Sequence, residues 1–140
     1  YLAYLRFPSE NMALKYTRLA VQDTQTGDTV DINVTPDINP AMFAWGGDYL
    51  YFSAQSHGTV WIYGYNPETR DLTTVVQGDF RAERFDVRFD GTLAFVAFNA
   101  ETLAELYIQQ QGGLPVPLTR INKDFVNSVA FGTFHRLTWQ

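Results

Sequence analysis

An all-β fold made of repeated units is the class that the sequence predicts, and three features lead to it. Aromatic residues make up 16% of the 140 residues and apolar residues 46%, a composition that suits pleated, half-buried strands in a globular protein. Apolar and polar side chains alternate with a period of two, as in residues 49–54, which is the pattern of a strand. Turn sequences such as Gly-Gly-Asp and Asp-Gly separate the alternating segments.

The alternating segments recur at an offset of 43 residues. The stretch GGDYLYFSA at residues 46–54 returns as FDGTLAFVA at residues 89–97. The segment RLAVQDTQTGD at residues 18–28 is matched in the same way by WIYGYNPETRD at residues 61–71. A period in the low forties with four short strands in each unit is typical of the blades of a β-propeller.

The repeat predicts a partial β-propeller of about three blades, with four antiparallel strands in a full blade. The expected parts are a partial blade that lacks its inner strand at residues 1–34, two full blades at 41–77 and 80–119, and an exit segment at 120–140. Two apolar strands, at residues 125–131 and 134–139, are predicted within the exit segment. Because closed propellers have about four to eight blades, we expect this chain to be an open fragment of a longer protein.

Charge and cysteine content narrow the possible functions. Ten Lys and Arg residues against 15 Asp and Glu give a net charge of −5, and the chain has no cysteine. We therefore expect no nucleic-acid partner, no disulfide and no thiolate metal site. The two histidines lack the paired spacing of metal ligands, so no metal and no other cofactor is predicted. No apolar run reaches 18 residues, so no membrane association is predicted.

The most charged stretch, FRAERFDVRFDG, covers residues 80–91, where the inner strand of the last blade is expected. Inner strands line the central channel of a propeller. One interpretation therefore has Arg81, Arg84 or Arg88 facing the channel and binding a peptide carboxylate. The simpler interpretation, which the sequence favours, is that these arginines form cross-strand ion pairs between blades.

Several other polar and aromatic residues have structural explanations. His57 is predicted to be an exposed loop residue, and His135 has no nucleophile partner in this chain. Trp45, Trp61 and Trp139 could form a stacking platform, although packing between blades is the simpler role for tryptophans in a repeat. Three aspartates recur at turn positions, where the side chain is expected to bond to its own backbone: Asp28, Asp48 and Asp71.

The amino-acid sequence of the repeat resembles that of known propeller families. WGGDYLYFSA at residues 45–54, followed by WIYGYNPETRDLT at 61–73, resembles the TolB-type repeat, so the blades are described as TolB- or WD-like. The order of the motifs in the second half of the chain points to a narrower family. These motifs, within residues 89–139, are FDGTLAFVA, ELYI, GGLPVPLTRINKDFV and FHRLTW. It resembles the last propeller blades of the prolyl oligopeptidase family of serine peptidases, in the acylaminoacyl-peptidase and dipeptidyl-peptidase-like branch.

This resemblance implies a function for a longer polypeptide. In that family an α/β-hydrolase domain follows the propeller and carries the catalytic Ser, Asp and His, and the propeller admits and orients peptides. The present chain has no G-x-S-x-G motif, so no catalytic residue is predicted in it. The expected partners are the hydrolase domain of the same polypeptide and peptides, and the expected compartment is the cytoplasm.

Two alternatives remain open at this point. The first is a TolB-like module that binds proteins and has no enzymatic domain, for which the periplasm would be the expected compartment. The second is a small domain that closes by self-association through its exposed blade edges.

Overall fold

Eleven strands and one short helix make up the described part of the chain, which in this computed structural model comprises residues 1–7, 17–32, 39–56, 58–132, 135 and 137. The strands are β1 (Leu2–Arg6), β2 (Arg18–Gln22), β3 (Thr29–Ile32), β4 (Pro40–Gly46), β5 (Tyr49–Ser56), β6 (Thr59–Tyr65), β7 (Leu72–Val76), β8 (Arg81–Val87), β9 (Leu93–Phe98), β10 (Glu105–Gln109) and β11 (Val116–Pro117). The helix, α1, spans Lys123–Ser128.

The strands pair antiparallel with their neighbours in sequence and form three successive groups. We call these groups blade 1 (β1–β3), blade 2 (β4–β7) and blade 3 (β8–β11). Within the described residues one parallel pair, Val60 with Arg81, joins blade 2 to blade 3, so that the two blades form one eight-stranded sheet. The two sheets formed by the described strands do not close on themselves. The predicted all-β class, a partial propeller with an open sheet, is thereby confirmed.

Blades 1 and 2 share one apolar core. Successive side chains of a strand point to opposite faces of its sheet, and in β5 the residues Leu50, Phe52 and Ala54 all point toward blade 1. There they pack with residues of β2, β3 and β6. We call this cluster core 1, and its buried members are Leu19, Val21, Ile32, Leu50, Phe52, Ala54, Tyr63 and Tyr65.

Blades 2 and 3 share a second core, formed by the opposite face of blade 2. Tyr51 lies between two core 1 residues in β5, and it belongs to this second cluster because it points the other way. Phe95 stacks on Tyr107 of β10, with ring centroids 5.6 Å apart. We call this cluster core 2, and its buried members are Tyr51, Ile62, Val76, Ala82, Phe85, Leu93, Phe95 and Ala97.

The inner strands β4 and β8 approach each other at their ends. A Cβ atom on Gly46 would lie 2.6 Å from Cγ2 of Val87, closer than packed atoms can come. Gly47 has φ of 58°, and a Cβ there would lie 2.7 Å from the Phe89 carbonyl oxygen. Glycine is therefore required at this turn both by the space and by the backbone conformation.

The exit segment differs from the prediction at its start. A strand was predicted at residues 125–131, but Lys123–Ser128 forms α1. The amide of Val126 donates to the Asn122 carbonyl at 2.9 Å, and Asp124 lies in the first turn of α1, where an acidic side chain is favourable. The strand predicted at 134–139 lies mostly outside the described residues. No helix in the described ranges is long and apolar enough to cross a membrane.

Candidate functional site

Two of the three predicted arginines form ion pairs within their own blade. Arg81, the first residue of β8, lies with Nη2 at 2.6 Å from Oε1 of Glu83. Arg88 follows β8 and lies with Nη2 at 3.5 Å from Oδ2 of Asp90. Both pairs join residues two positions apart in the chain, so they do not link neighbouring blades as the sequence interpretation supposed. Exposed pairs of this kind contribute little to stability.

Arg84 differs from the other two arginines. It is exposed, and its partner across the ladder is Val96 of β9. The neighbouring pair, Phe85 with Phe95, points into core 2, so Arg84 lies on the face of blade 3 that is turned away from blade 2. Among the described residues no carboxylate forms an ion pair with it. The binding of a peptide by any of these arginines stays a prediction.

The histidines and tryptophans considered from the sequence have different environments. His57 and Trp139 lie outside the described residues, and His135 is exposed. Trp61 packs against core 1, and its indole Nε1 donates to the carbonyl of Gly78 at 2.9 Å. Trp61 therefore has the packing role that was expected for tryptophans in a repeat. No group of three or more acidic or histidine side chains suited to a metal ion occurs within the described part of the chain.

The turn-forming side chains are not the predicted ones. In the β2–β3 and β6–β7 hairpins, the first residue of the turn, Asp23 or Asn66, accepts two backbone N–H bonds at 2.8–3.3 Å. Asp28 and Asp71 lie at the last position, and there the backbone carbonyl accepts the bond that closes the turn. The prediction was wrong for these two residues because an Asx turn needs its polar side chain at the first position of the turn.

A carboxylate of blade 3 holds the start of the exit segment. Glu105, the first residue of β10, accepts hydrogen bonds from the Thr119 hydroxyl, from the Ile121 amide at 3.1 Å and from the Asn122 amide at 2.8 Å. The Asn122 side chain returns a bond to the Ala104 carbonyl at 2.9 Å. The bond from Thr119, followed by those from the backbone, keeps the pKa of Glu105 below its ordinary value.

This arrangement gives a physical role to a motif noted in the sequence. Thr119 and Asn122 are the Thr and Asn of the L-T-R-I-N stretch on which part of the family resemblance rests. The sequence pattern did not point to Glu105, which precedes Thr119 by 14 residues.

Two arginines share one carboxylate on the face of blade 1 that is turned away from blade 2. Asp31 Oδ2 lies 2.5 Å from Nη2 of Arg6 and 3.3 Å from Nη1 of Arg18. Burial alone would raise the pKa of Asp31, but the hydrogen bonds from Arg6 and Arg18 bring it below its ordinary value. With two cations and one anion, this cluster adds positive charge to an otherwise acidic protein.

Comparison with known proteins matches the fold to peptidase propellers. No protein-family model matches the chain, and no curated protein does. Among solved structures, the uncomplexed acylaminoacyl peptidase of Pyrococcus horikoshii is 20% identical with a TM-score of 0.67, over 82% of this chain and 17% of that chain. The β-propeller domain of the Trilobed protease from Pyrococcus furiosus is 18% identical with a TM-score of 0.66, over 84% of this chain and 34% of that chain.

These matches confirm the predicted propeller and the resemblance to peptidase propellers at the level of fold. A third structure, an acylaminoacyl peptidase in complex with Z-Gly-Gly-Phe-chloromethyl ketone, matches with a TM-score of 0.64 at 20% identity, over 80% of this chain and 17% of that chain. The chain thus spans between 17% and 34% of the solved chains that it matches.

Proposed function

We propose that this chain is the non-catalytic propeller segment of a serine oligopeptidase, where it admits and orients peptides for an α/β-hydrolase domain of the same polypeptide. The observation that supports this proposal is the likeness to the propellers of two peptidases over 82% and 84% of the chain. The reaction itself, transfer of the acyl group of a peptide bond to serine and then to water, would take place in the hydrolase domain.

The exit segment supports the proposal further. Glu105 holds Ile121 and Asn122 by their amides, so α1 leaves blade 3 from a fixed point. Ile121 is 81% exposed and Phe125 is 56% exposed, and these apolar side chains are available for contact with a following domain. A serine peptidase domain that begins shortly after this segment would receive the chain in a defined position.

The test of the proposal is an intact mass measurement of the full-length gene product together with labelling by a fluorophosphonate probe, which reacts with activated serines. A product several times larger than the 15.9 kDa of this chain that takes the label supports the peptidase. A product close to this mass that remains unlabelled overturns it and favours a protein-binding propeller.

A second experiment tests the prediction that an arginine of blade 3 binds a peptide carboxylate. Arg84 is the candidate chosen, because it forms no ion pair within the described residues. In full-length enzyme that has not been treated with the probe, Arg84→Ala is expected to lower kcat/KM about ten-fold for a short peptide with a free carboxyl terminus, because a charge-assisted hydrogen bond is lost. The kcat/KM of Arg84→Ala for the same peptide with an amidated terminus should equal that of the unsubstituted enzyme. Arg120→Ala, which removes an exposed arginine of the exit segment, is the matched control. Equal losses for the acid and the amide would contradict a role in binding the carboxylate.

A further inference from the structure

Glu105 holds the junction between blade 3 and α1 with both of its carboxylate oxygens. Its Oε2 accepts the Ile121 amide at 3.1 Å and the Thr119 hydroxyl, and its Oε1 accepts the Asn122 amide at 2.8 Å. The Thr119 hydroxyl oxygen in turn accepts the Leu106 amide at 2.9 Å. One side chain of β10 therefore restrains three residues of the segment that leaves the sheet.

The helix that follows has no comparable hold on blade 3. None of the six residues of α1 is buried, and the side chain of Asn122 does not cap the helix. That side chain donates instead to the Ala104 carbonyl at 2.9 Å, next to Glu105. The direction in which the chain leaves blade 3 therefore depends on hydrogen bonds at Glu105 and not on burial of α1.

The repeat contains an equivalent contact in blade 2. Trp61 and Glu105 occupy the same ladder position, since each pairs with the equivalent alanine of the preceding strand. The Trp61 indole donates to the Gly78 carbonyl at 2.9 Å, and Ile121 lies 43 residues after Gly78. The same strand position thus holds the same point of the outgoing segment in both blades, with a donor in blade 2 and an acceptor in blade 3.

The contact in blade 2 shows what this position does. The segment that Trp61 holds leads directly into β8, whose first residue, Arg81, pairs with Val60 of blade 2. The contact therefore helps to place the next unit of structure on the blade. In blade 3 a carboxylate replaces the indole, and a charge-assisted hydrogen bond is roughly twice as strong as a neutral one. Glu105 is thus built to place the unit that follows blade 3.

We propose that Glu105 is a positioning residue of the peptidase, which fixes the hydrolase domain relative to the peptide that the propeller orients. This inference rests on the proposed function, because it requires a hydrolase domain after the exit segment. Glu105 acts through that segment and not by contact with the substrate. Since a shift of about 1 Å in a bound substrate can lower a rate about 100-fold, loss of Glu105 affects substrates that the propeller orients. A substrate too small to contact the propeller is unaffected.

The test compares two substrates of the full-length enzyme. One is p-nitrophenyl acetate, which needs only the hydrolase domain, and the other is the acetylated tripeptide p-nitroanilide that the unsubstituted enzyme hydrolyses fastest. Rates are expressed per active site, counted by fluorophosphonate labelling of a separate sample, so that a misfolded fraction does not contribute. Glu105→Gln is expected to lower kcat/KM for the tripeptide about ten-fold and to leave kcat/KM for the ester unchanged.

Three further variants serve as controls. Thr119→Val removes the hydroxyl that donates to Glu105 and should also lower kcat/KM for the tripeptide alone. Thr119→Ser keeps the hydroxyl and should retain the kcat/KM of the unsubstituted enzyme. Glu101→Gln is the matched control, since Glu101 is an exposed acid of the loop before β10 and is not the carboxylate that holds the exit segment.

The outcomes separate this inference from the proposed function. A labelled enzyme in which Glu105→Gln leaves the tripeptide rate unchanged, or lowers both rates equally, would overturn the role of Glu105 and leave the peptidase in place. An unsubstituted full-length product that takes no label would overturn the proposed function and this inference with it.

Discussion

Blade 2 and blade 3 have closely related sequences but different surroundings. Both faces of blade 2 are packed, with Phe52 in core 1 and Tyr51 in core 2. Blade 3 uses one face in the same way, with Phe95 fully buried in core 2. Its other face bears Val96 and Phe98, which are only half-buried. Burial of a blade residue is therefore decided by the neighbouring blade as much as by the strand that carries it.

The largest expected effect on stability comes from comparing a phenylalanine in core 1 with one on the outer face of blade 3. Phe52→Ala removes a fully buried ring and is expected to lower the free energy of unfolding by about 3–5 kcal/mol. Phe98→Ala, on the half-buried face of blade 3, should cost about 1 kcal/mol or less, because a half-buried ring loses less apolar contact than a fully buried one. Urea unfolding of both variants measures the difference.

The control for this pair is Phe89→Ala, since Phe89 is 87% exposed and its loss should leave stability nearly unchanged. The experiment is run at two protein concentrations, because pairing of two copies through the face of blade 3 would make the cost of Phe98→Ala depend on concentration. Equal costs for Phe52→Ala and Phe98→Ala would contradict the comparison and show that the far face of blade 3 is packed in solution.

The sequence predicted the features that depend on local patterns. Period-2 alternation separated Leu50 and Phe52 from Tyr51, and the structure places these residues in different cores. It missed α1, because a helix of six residues, less than two turns, has too short a pattern to be distinguished from an apolar strand. It also missed the contacts of Glu105, because the groups that donate to this carboxylate lie 14 to 17 residues further along the chain. Alternation and spacing contain no information about which distant side chains meet.

The next prediction compares two equivalent hairpins. Gly27 and Arg70 occupy the same position of the β2–β3 and β6–β7 turns, with φ of 81° and 64°, and each amide donates to the first residue of its turn at 2.9 and 2.8 Å. Glycine adopts this conformation freely, whereas a side chain costs about 1–2 kcal/mol there. The extra freedom of glycine in the unfolded chain offsets about 0.4–1 kcal/mol of the gain.

Arg70→Gly is therefore expected to stabilise the protein by roughly 0.5–1 kcal/mol, and Gly27→Arg should destabilise it by a similar amount. Thermal unfolding monitored by circular dichroism measures both. Arg70→Lys keeps a side chain and a charge at this position and should leave the melting temperature unchanged. A loss of stability in Arg70→Gly would mean that the Arg70 side chain contributes more than its backbone costs.

The smallest expected effect concerns the junction between blade 3 and the exit segment. Because hydrogen bonds lower the pKa of Glu105 in the folded protein, the stabilisation that Glu105 provides is fully present above the pKa that Glu105 has in the unfolded chain. It is lost as the pH falls through the lower, folded pKa. Glu105→Gln should therefore speed hydrogen exchange of the Ile121 and Asn122 amides at neutral pH, where the ionised carboxylate is the stronger acceptor.

The amide of Leu118 is the internal control, because it donates to the backbone carbonyl of Leu106 at 2.7 Å and not to Glu105. Its protection should be the same in both proteins. As the pH falls below the folded pKa of Glu105, exchange at Ile121 and Asn122, corrected for the intrinsic pH dependence of exchange, should become equal in the two proteins. If the difference persisted in acid, the shape of the side chain and not its charge would hold the exit segment.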